Sequence, residues 1–384
     1  MPRYSLVLLI GFAMCFASAV LALPEPLIVD VDCAAGDDLA QVLREIEVLV
    51  GTAGEGDDEG YDYPSEGPRQ IIVQIRGTCV ANVTLTLENL TLRGVGDEPA
   101  VIQGDPHLQG VVVEARYLQY LVLENLTITG GWAGVRLVHS LASISRCHLS
   151  GNGTGLQSEN SRSLVTNTDF ERNRNAIFTF GGDHLQLHAF LIADNTQAGI
   201  LADGSSVTLG RGEIRDTRIG LQLQGNATGL LRSNLLIDSS VSVIDSSHLS
   251  MFGPATIGVE GQLFVGNHSQ FESNGASILA NVLLARWGRA FFTDTPIEGE
   301  VVLSDFSEVV FDGVGADLLY CDATSDAVCE TGAIDTVIGC EHCDGLAPAG
   351  GRSDAGFTPP GRGAIRDLLE GLVPPSRPRT ISGR

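Results

Sequence analysis

Glu159 and Asp203 stand at matching positions of two sequence repeats, with Phe180 at the same position of the repeat between them. If each repeat is one rung of a stack with a pitch of about 4.8 Å, the two carboxylates lie roughly 9–10 Å apart on one face. That separation is near the upper limit, about 9.5 Å, for the acid and base of an inverting glycosidase. Phe178 and Phe180 point outward two residues apart, and rings so placed can stack on sugars. Arg136 shares the adjoining outward column with Gln157, Phe178, Leu201 and Gln222. Its planar fork suits a uronate carboxylate, gripped in bidentate fashion. The competing reading is that charges and an aromatic pair share this face without acting together.

Other groupings lack a necessary member. His184 and His188 fall one strand over, with His188 outward, and no third ligand accompanies them, so no metal site is expected. No Gly-x-Ser-x-Gly elbow or phosphate loop occurs at a strand-to-helix junction. Residues 51–68 gather Glu55, Asp57, Asp58, Glu59, Asp62 and Glu66 around Tyr61 and Tyr63. Such a stretch suits a solvated loop or weak calcium binding, although its spacing matches no EF-hand. No other cofactor is expected.

What must position these residues is a repeat over residues 132–242. Gly134-Val135-Arg136-Leu137, Gly155-Leu156-Gln157-Ser158, Ala176-Ile177-Phe178-Thr179, Gly199-Ile200-Leu201-Ala202 and Gly220-Leu221-Gln222-Leu223 begin 21, 21, 23 and 21 residues apart. Each follows a turn, as at Gly151-Asn152-Gly153 or Asp194-Asn195-Thr196. Within a repeat, apolar residues alternate with period 2, the signature of a strand. Three inward columns follow: Val135, Leu156, Ile177, Ile200, Leu221; Ile144, Val165, Leu187, Leu209, Leu231; and Leu149, Phe170, Ile192, Ile214, Leu236. Cys147 heads a column continued by Thr168, Phe190, Gly212 and Asn234. No repeat carries a helical stripe or a leucine-rich ladder, so stacked strands are expected, each unit burying its face on its neighbours.

The phrase His148-Leu149-Ser150-Gly151-Asn152-Gly153-Thr154-Gly155-Leu156 resembles the repeats of the right-handed parallel β-helix proteins of the pectate-lyase-like superfamily. The resemblance implies an all-β right-handed parallel β-helix solenoid over residues 70–312. It also implies a substrate groove on one outer face in those members that are enzymes, and it is silent on activity, because the superfamily includes lyases, hydrolases, epimerases and adhesins. Asp105-Pro106-His107 resembles the Asp-Pro-His signature of mannuronan C5-epimerases and related alginate lyases. Here the flanking tyrosine and trailing acid are missing, and Tyr117 and Tyr120 are a turn away, so a plain Gly-Asp-Pro turn is the reading carried forward.

Residues 1–22 read as a signal peptide, with Arg3, an apolar run from Leu6 and small residues at Ala17-Ser18-Ala19 and Val20-Leu21-Ala22. A secreted, extracellular protein is therefore expected, with no membrane span. Residues 23–69 form an N-terminal cap. In it Leu39, Val42, Leu43 and Ile46 mark an amphipathic helix over Asp37–Val50, suited to cover the open end of the coil. Export makes disulfides the expected use of cysteine. Cys33 and Cys79 would pin the cap. Cys321, Cys329, Cys340 and Cys343 would make two bridges, in one of three pairings, within a C-terminal cap at 313–344, with a zinc site as the rival. Cys147 is left over as a buried thiol. Residues 345–384 turn rich in Pro, Gly and Arg and suggest a disordered tail with one short helix, Ala364–Val373.

All 23 basic residues are Arg, which rules out a lysine base, and a formal charge of −24 disfavours nucleic acid as a partner. Six Asn-x-Ser/Thr triplets, at Asn82, Asn89, Asn125, Asn152, Asn226 and Asn267, read either as glycosylation acceptors or as turn residues ahead of strand formers, the latter being preferred. Two functions fit: a monomeric β-helix that binds or processes an extracellular polysaccharide, or a non-catalytic surface or matrix protein presenting an adhesion face. Whether the chain is an enzyme stays open at this point.

Overall fold

The computed structural model describes residues 25–51, 70–107 and 110–340. Alternating apolar strands joined by short turns wind into a parallel β-solenoid with three strands per coil, and every strand pairing is parallel. The opening sheet takes the Gly-apolar phrases: Val83–Leu85, Val111–Arg116, Ala133–Val138, Thr154–Glu159, Asn175–Phe180, Ala198–Asp203 and onward to Ile338. The middle sheet starts at Leu27–Asp32 and the closing sheet at Thr78–Val80. Parallel pairing thus runs from Leu27 to Ile338, on both sides of the 70–312 span read from sequence.

The inward columns meet inside the coil. Val135, Leu156, Ile177, Ile200 and Leu221 pair in sequence, as do Ile144, Val165, Leu187, Leu209 and Leu231, and nearly all are fully buried. Each such side chain contributes about 1.5–3 kcal/mol relative to its exposed state. The third column holds through Leu149, Phe170, Ile192 and Ile214, but its next member is Ile237, not Leu236, which is exposed. The column of Cys147 likewise continues to Leu235 instead of Asn234. The cause is one extra turn residue: Ser233 and Asn234 both take positive φ between Leu231 and the next strand.

Polar side chains at the corners repeat as regularly as the aliphatic ones. The Asn173 carboxamide accepts from Asn152 N–H at 2.9 Å and donates to Leu149 O at 2.9 Å, while Asn195 Oδ1 accepts from Asn173 N–H at 3.0 Å. This internal asparagine ladder satisfies turn amides that the sheets cannot reach, as buried polar groups require. At the corner between opening and middle strands, Ser140 N–H donates to Ser161 Oγ at 2.9 Å and Ser247 N–H to Ser269 Oγ at 3.1 Å. Several sequon asparagines serve the turns: Asn89, Asn125, Asn226 and Asn267 hold positive φ, a conformation Asn tolerates, and Asn152 is buried in the ladder.

The cap helix spans Leu39–Gly51. Asp38 caps it, its Oδ1 accepting from Ala40 N–H at 2.9 Å and Gln41 N–H at 3.1 Å, and Leu39, Leu43 and Ile46 are buried in the core. Cys33 and Cys79 are bridged, pinning this end to the coil. Cys321 pairs with Cys340, which removes the zinc alternative because bridged sulfurs are not thiolates, and Cys329 is also disulfide-bonded. Cys147 is a buried free thiol that burial pushes up to about 11. Among the described residues no helix is long and apolar enough to cross a membrane. The leader at 1–22, the acidic calcium candidate at 52–68, Cys343 and the tail at 345–384 lie outside the described residues.

Replacing Asn173 with Ala orphans the Asn152 and Leu149 backbone groups together, at about 1–3 kcal/mol each. Chemical denaturation is expected to show Asn173→Ala destabilised by at least that much, whereas Leu236→Ala, on the solvent side, stays within about 0.5 kcal/mol of the parent.

Candidate functional site

Glu159, Phe180 and Asp203 occupy consecutive rungs of the opening sheet, in direct register. Strand alternation turns them away from the core, because their neighbours Ser158, Thr179 and Ala202 are the buried members of each pair. The adjoining outward column is Glu114, Arg136, Gln157, Phe178, Leu201 and Gln222. Phe178 and Phe180 stack against one another, with ring centroids 5.1 Å apart and planes inclined by 28°. Both rings are half-buried.

The carboxylates differ in their surroundings. Arg136 Nη1 bonds Glu114 Oε1 at 3.0 Å, and its Nη2 lies 3.7 Å from Glu159 Oε2. Arg116 reaches the same Glu114 oxygen at 2.8 Å. The guanidinium of Arg136 is thus already held between two acids. Asp203 is oriented by amides: Gln222 Nε2 donates to Gln224 Oε1 at 2.7 Å, and Gln224 Nε2 donates to Asp203 Oδ2 at 3.3 Å. Gly225, at φ 64° in the left-handed region, also makes room for it, since a Cβ there would collide with Asp203 Oδ1.

A third acid lies directly behind this face and carried no sequence motif. Asp183 takes the place of a serine in the corner column Ser140, Ser161, Asp183, Ser205, and its Oδ1 accepts from Ser161 N–H. It is 1% exposed. Burial pushes its carboxyl up to about 6, and the charge of Glu159 adds to the effect; the Ser161 and Phe180 N–H groups and the Ser158 hydroxyl act in the opposite sense. Stacking the four corner residues in the sequence would have exposed the one acid among serines. The glutamine relay and the Glu114–Arg136 pair needed the register to be seen.

Other candidates are dispersed. His184 and His188 are exposed on the middle sheet, and among the described residues no three His, Cys, Asp or Glu side chains gather as metal ligands. Asp105-Pro106-His107 forms a local turn in which Asp105 Oδ1 accepts from His107 N–H at 2.8 Å and Asn82 Oδ1 accepts from Asp105 N–H at 2.7 Å. Tyr117 sits at a different corner, stacked on His139 with centroids 5.3 Å apart.

Residues 109–279 match the family model described as "Right handed beta helix region". Among solved structures, the chain is similar to DFA-IIIase from Arthrobacter chlorophenolicus A6 without its lid, at 12% identity and a TM-score of 0.39, covering 81% of this chain and 98% of that one. It is also similar to alginate lyase from Paenibacillus sp. str. FPU-7, at 12% identity and a TM-score of 0.31, covering 82% and 98%. No curated protein matches the chain.

Because its folded-state value is raised from 3.8 to about 6, Asp183 contributes stability in its neutral form. That contribution is present below the unfolded value and lost as pH rises through the folded one. Asp183→Asn keeps an oxygen for Ser161 N–H and cannot ionise. Its denaturation midpoint is expected to gain on the parent's as pH rises from 4 to 7, and a gap that stays constant with pH would contradict this account.

Proposed function

We propose that this chain is an exported β-helix protein that binds an extracellular polysaccharide along the outer side of its opening sheet and hydrolyses it between Glu159 and Asp203. The observation that carries the reading is the register Glu159–Phe180–Asp203, which sets two carboxylates two rungs apart, roughly 9–10 Å, with an aromatic ring between them. A sugar resting on Phe180 and Phe178 would have one carboxyl group towards its glycosidic oxygen and the other towards a water on the opposite side. That is the arrangement of an inverting hydrolase. The leaving oxygen takes a proton from one acid while the other carboxylate takes a proton from the attacking water, so one bond to the anomeric carbon breaks as another forms. Gln224 and Gly225 fix Asp203, and Arg136 fixes Glu159.

Arg136 spends both its amino groups on Glu114 and Glu159, which leaves it a positioning group more than a uronate clamp. A neutral polysaccharide is therefore the favoured substrate class, the face otherwise being acidic. An adhesion role without turnover is the alternative, and the same experiment separates the two.

Purified processed protein is expected to bind and depolymerise a neutral glycan from a mixed panel. Glu159→Gln and Asp203→Asn should each lower turnover by about 10²–10⁴-fold while retaining binding. Phe180→Ala should weaken binding by about tenfold, or 1.4 kcal/mol. Binding with no turnover by the parent would establish the adhesion reading, and undiminished turnover in both carboxamide variants would place the chemistry elsewhere.

A further inference from the structure

A serine at the corner after an opening strand has two tasks, and the second ties the corner to the end of the strand. Ser140 Oγ accepts from Leu118 N–H at 3.1 Å and donates to Val138 O at 2.9 Å. Ser161 Oγ accepts from Ser140 N–H at 2.9 Å and donates to Glu159 O at 2.9 Å. Ser205 Oγ donates to Asp203 O at 3.1 Å. Val138, Glu159 and Asp203 are the last residues of their strands. The hydroxyl proton therefore fixes the point from which each outward side chain leaves the sheet.

Asp183 holds this place on the rung that ends at Phe180. Its Oδ1 accepts from Ser161 N–H, which fulfils the first task. An ionised carboxylate has no proton for the second. Its Oδ2 is buried and has no hydrogen-bond partner among the described residues. The Ser158 hydroxyl lies near enough to favour a charge there but makes no hydrogen bond, and the Thr179 hydroxyl has no partner either. A charged oxygen enclosed in this way is costly, whereas a carboxylic acid brings its own donor. The acceptor that the column assigns to it is Phe180 O. That carbonyl takes Asn160 N–H at 3.2 Å, just as Glu159 O takes His139 N–H at 2.9 Å and Asp203 O takes Gly181 N–H at 3.2 Å. The corner is longer here, with Gly181 and Gly182 both at positive φ where Asn160 or Gly204 stands alone. An aspartyl side chain outreaches a seryl one and can bridge the added length, and two glycines impose no conformation of their own.

Of the charged groups around Asp183, Glu159 ends the strand below and its charge opposes ionisation. Asp203 ends the strand above. Arg162 and His184 open the adjoining middle strands and are exposed, turned outward because Ser163 and Leu185 are the buried members there. We propose that Asp183 is a positioning residue of the glycan site and acts as a carboxylic acid, its Oδ2–H donating to Phe180 O and closing the corner that sets Phe180 above Glu159. The role in glycan binding rests on the function proposed above; the corner bond does not. Loss of the proton opens the bond and leaves Gly181 and Gly182 to hold the corner alone.

Amide hydrogen exchange across residues 158–183 of the full processed chain tests the bond. After correction for the intrinsic pH dependence of exchange, protection in the parent is expected to fall about tenfold between about pH 5 and about pH 7, as the acid form of Asp183 is lost. Asp183→Asn has a carboxamide that accepts and donates without titrating, and it should keep the parent's low-pH protection throughout. Over the same span the parent's affinity for the neutral glycan bound in the panel should fall about tenfold relative to that of Asp183→Asn. Flat protection in the parent overturns the proposal, as does an Asp183→Asn whose protection falls with the parent's. Affinities that stay in constant ratio overturn the positioning role. Exchange requires no glycan, so a parent that shows the protection change and binds no glycan removes the proposed function and the positioning role together, and leaves the corner bond standing.

Discussion

In-register hydrogen bonding between parallel strands is the constraint on which the rest depends. Each residue of a coil is placed by the equivalent residue of the coil below, so a side chain type repeated in sequence becomes a column in space. Aliphatic columns close the interior, and asparagine and serine columns close the corners. Outward residues acquire fixed neighbours in the same way. The Glu159–Phe180–Asp203 column exists only because Leu156, Ile177 and Ile200 are locked beneath it. Catalytic precision, if a site is built here, is borrowed from the core.

The corners show what the stacking tolerates. Residues as bulky as Tyr117, His139, Trp287 and Phe306 take positive φ where Asn or Gly would be relaxed. Such strain, of order 1 kcal/mol or more per residue, persists only where the surroundings over-determine the backbone. Some of it is recovered by stacking along the corner: Trp287 lies between His268 and Phe306, at centroid distances of 5.9 and 4.8 Å. These rings are largely exposed, so their contribution comes from one another and not from burial.

Most of the coil was legible in the sequence because the signal is redundant. Any one of Val165, Leu187 or Leu209 is an ordinary apolar residue; their common spacing is what identifies them. The spacing failed where a turn gained a residue. Ser233 and Asn234 shifted the reading by one, exchanging exposed Leu236 for buried Ile237. In a strand, a slip of one residue reverses the face. Of the site, the outward column was legible for the same reason as the core. Asp183 was not, since it lies at a corner where hydroxyl and carboxylate both accept the same amide hydrogen bond, and only burial distinguishes their chemistry. The commitment of Arg136 to Glu114 and Glu159 was also hidden, because charge pairing between rungs depends on side-chain reach as well as register.

A molecule assembled this way has a length that changes only in whole steps. Gain or loss of a complete period of 21 or 23 residues would leave every column continuous, whereas a single inserted residue must be absorbed in a corner, as the Ser233–Asn234 turn absorbs its own. Distances between outward groups along the axis are therefore quantised in multiples of about 4.8 Å. For this architecture, descent by duplication of coils is the geometrically inexpensive path, and adjusting the gap between two acids by a fraction of a rung is closed to it.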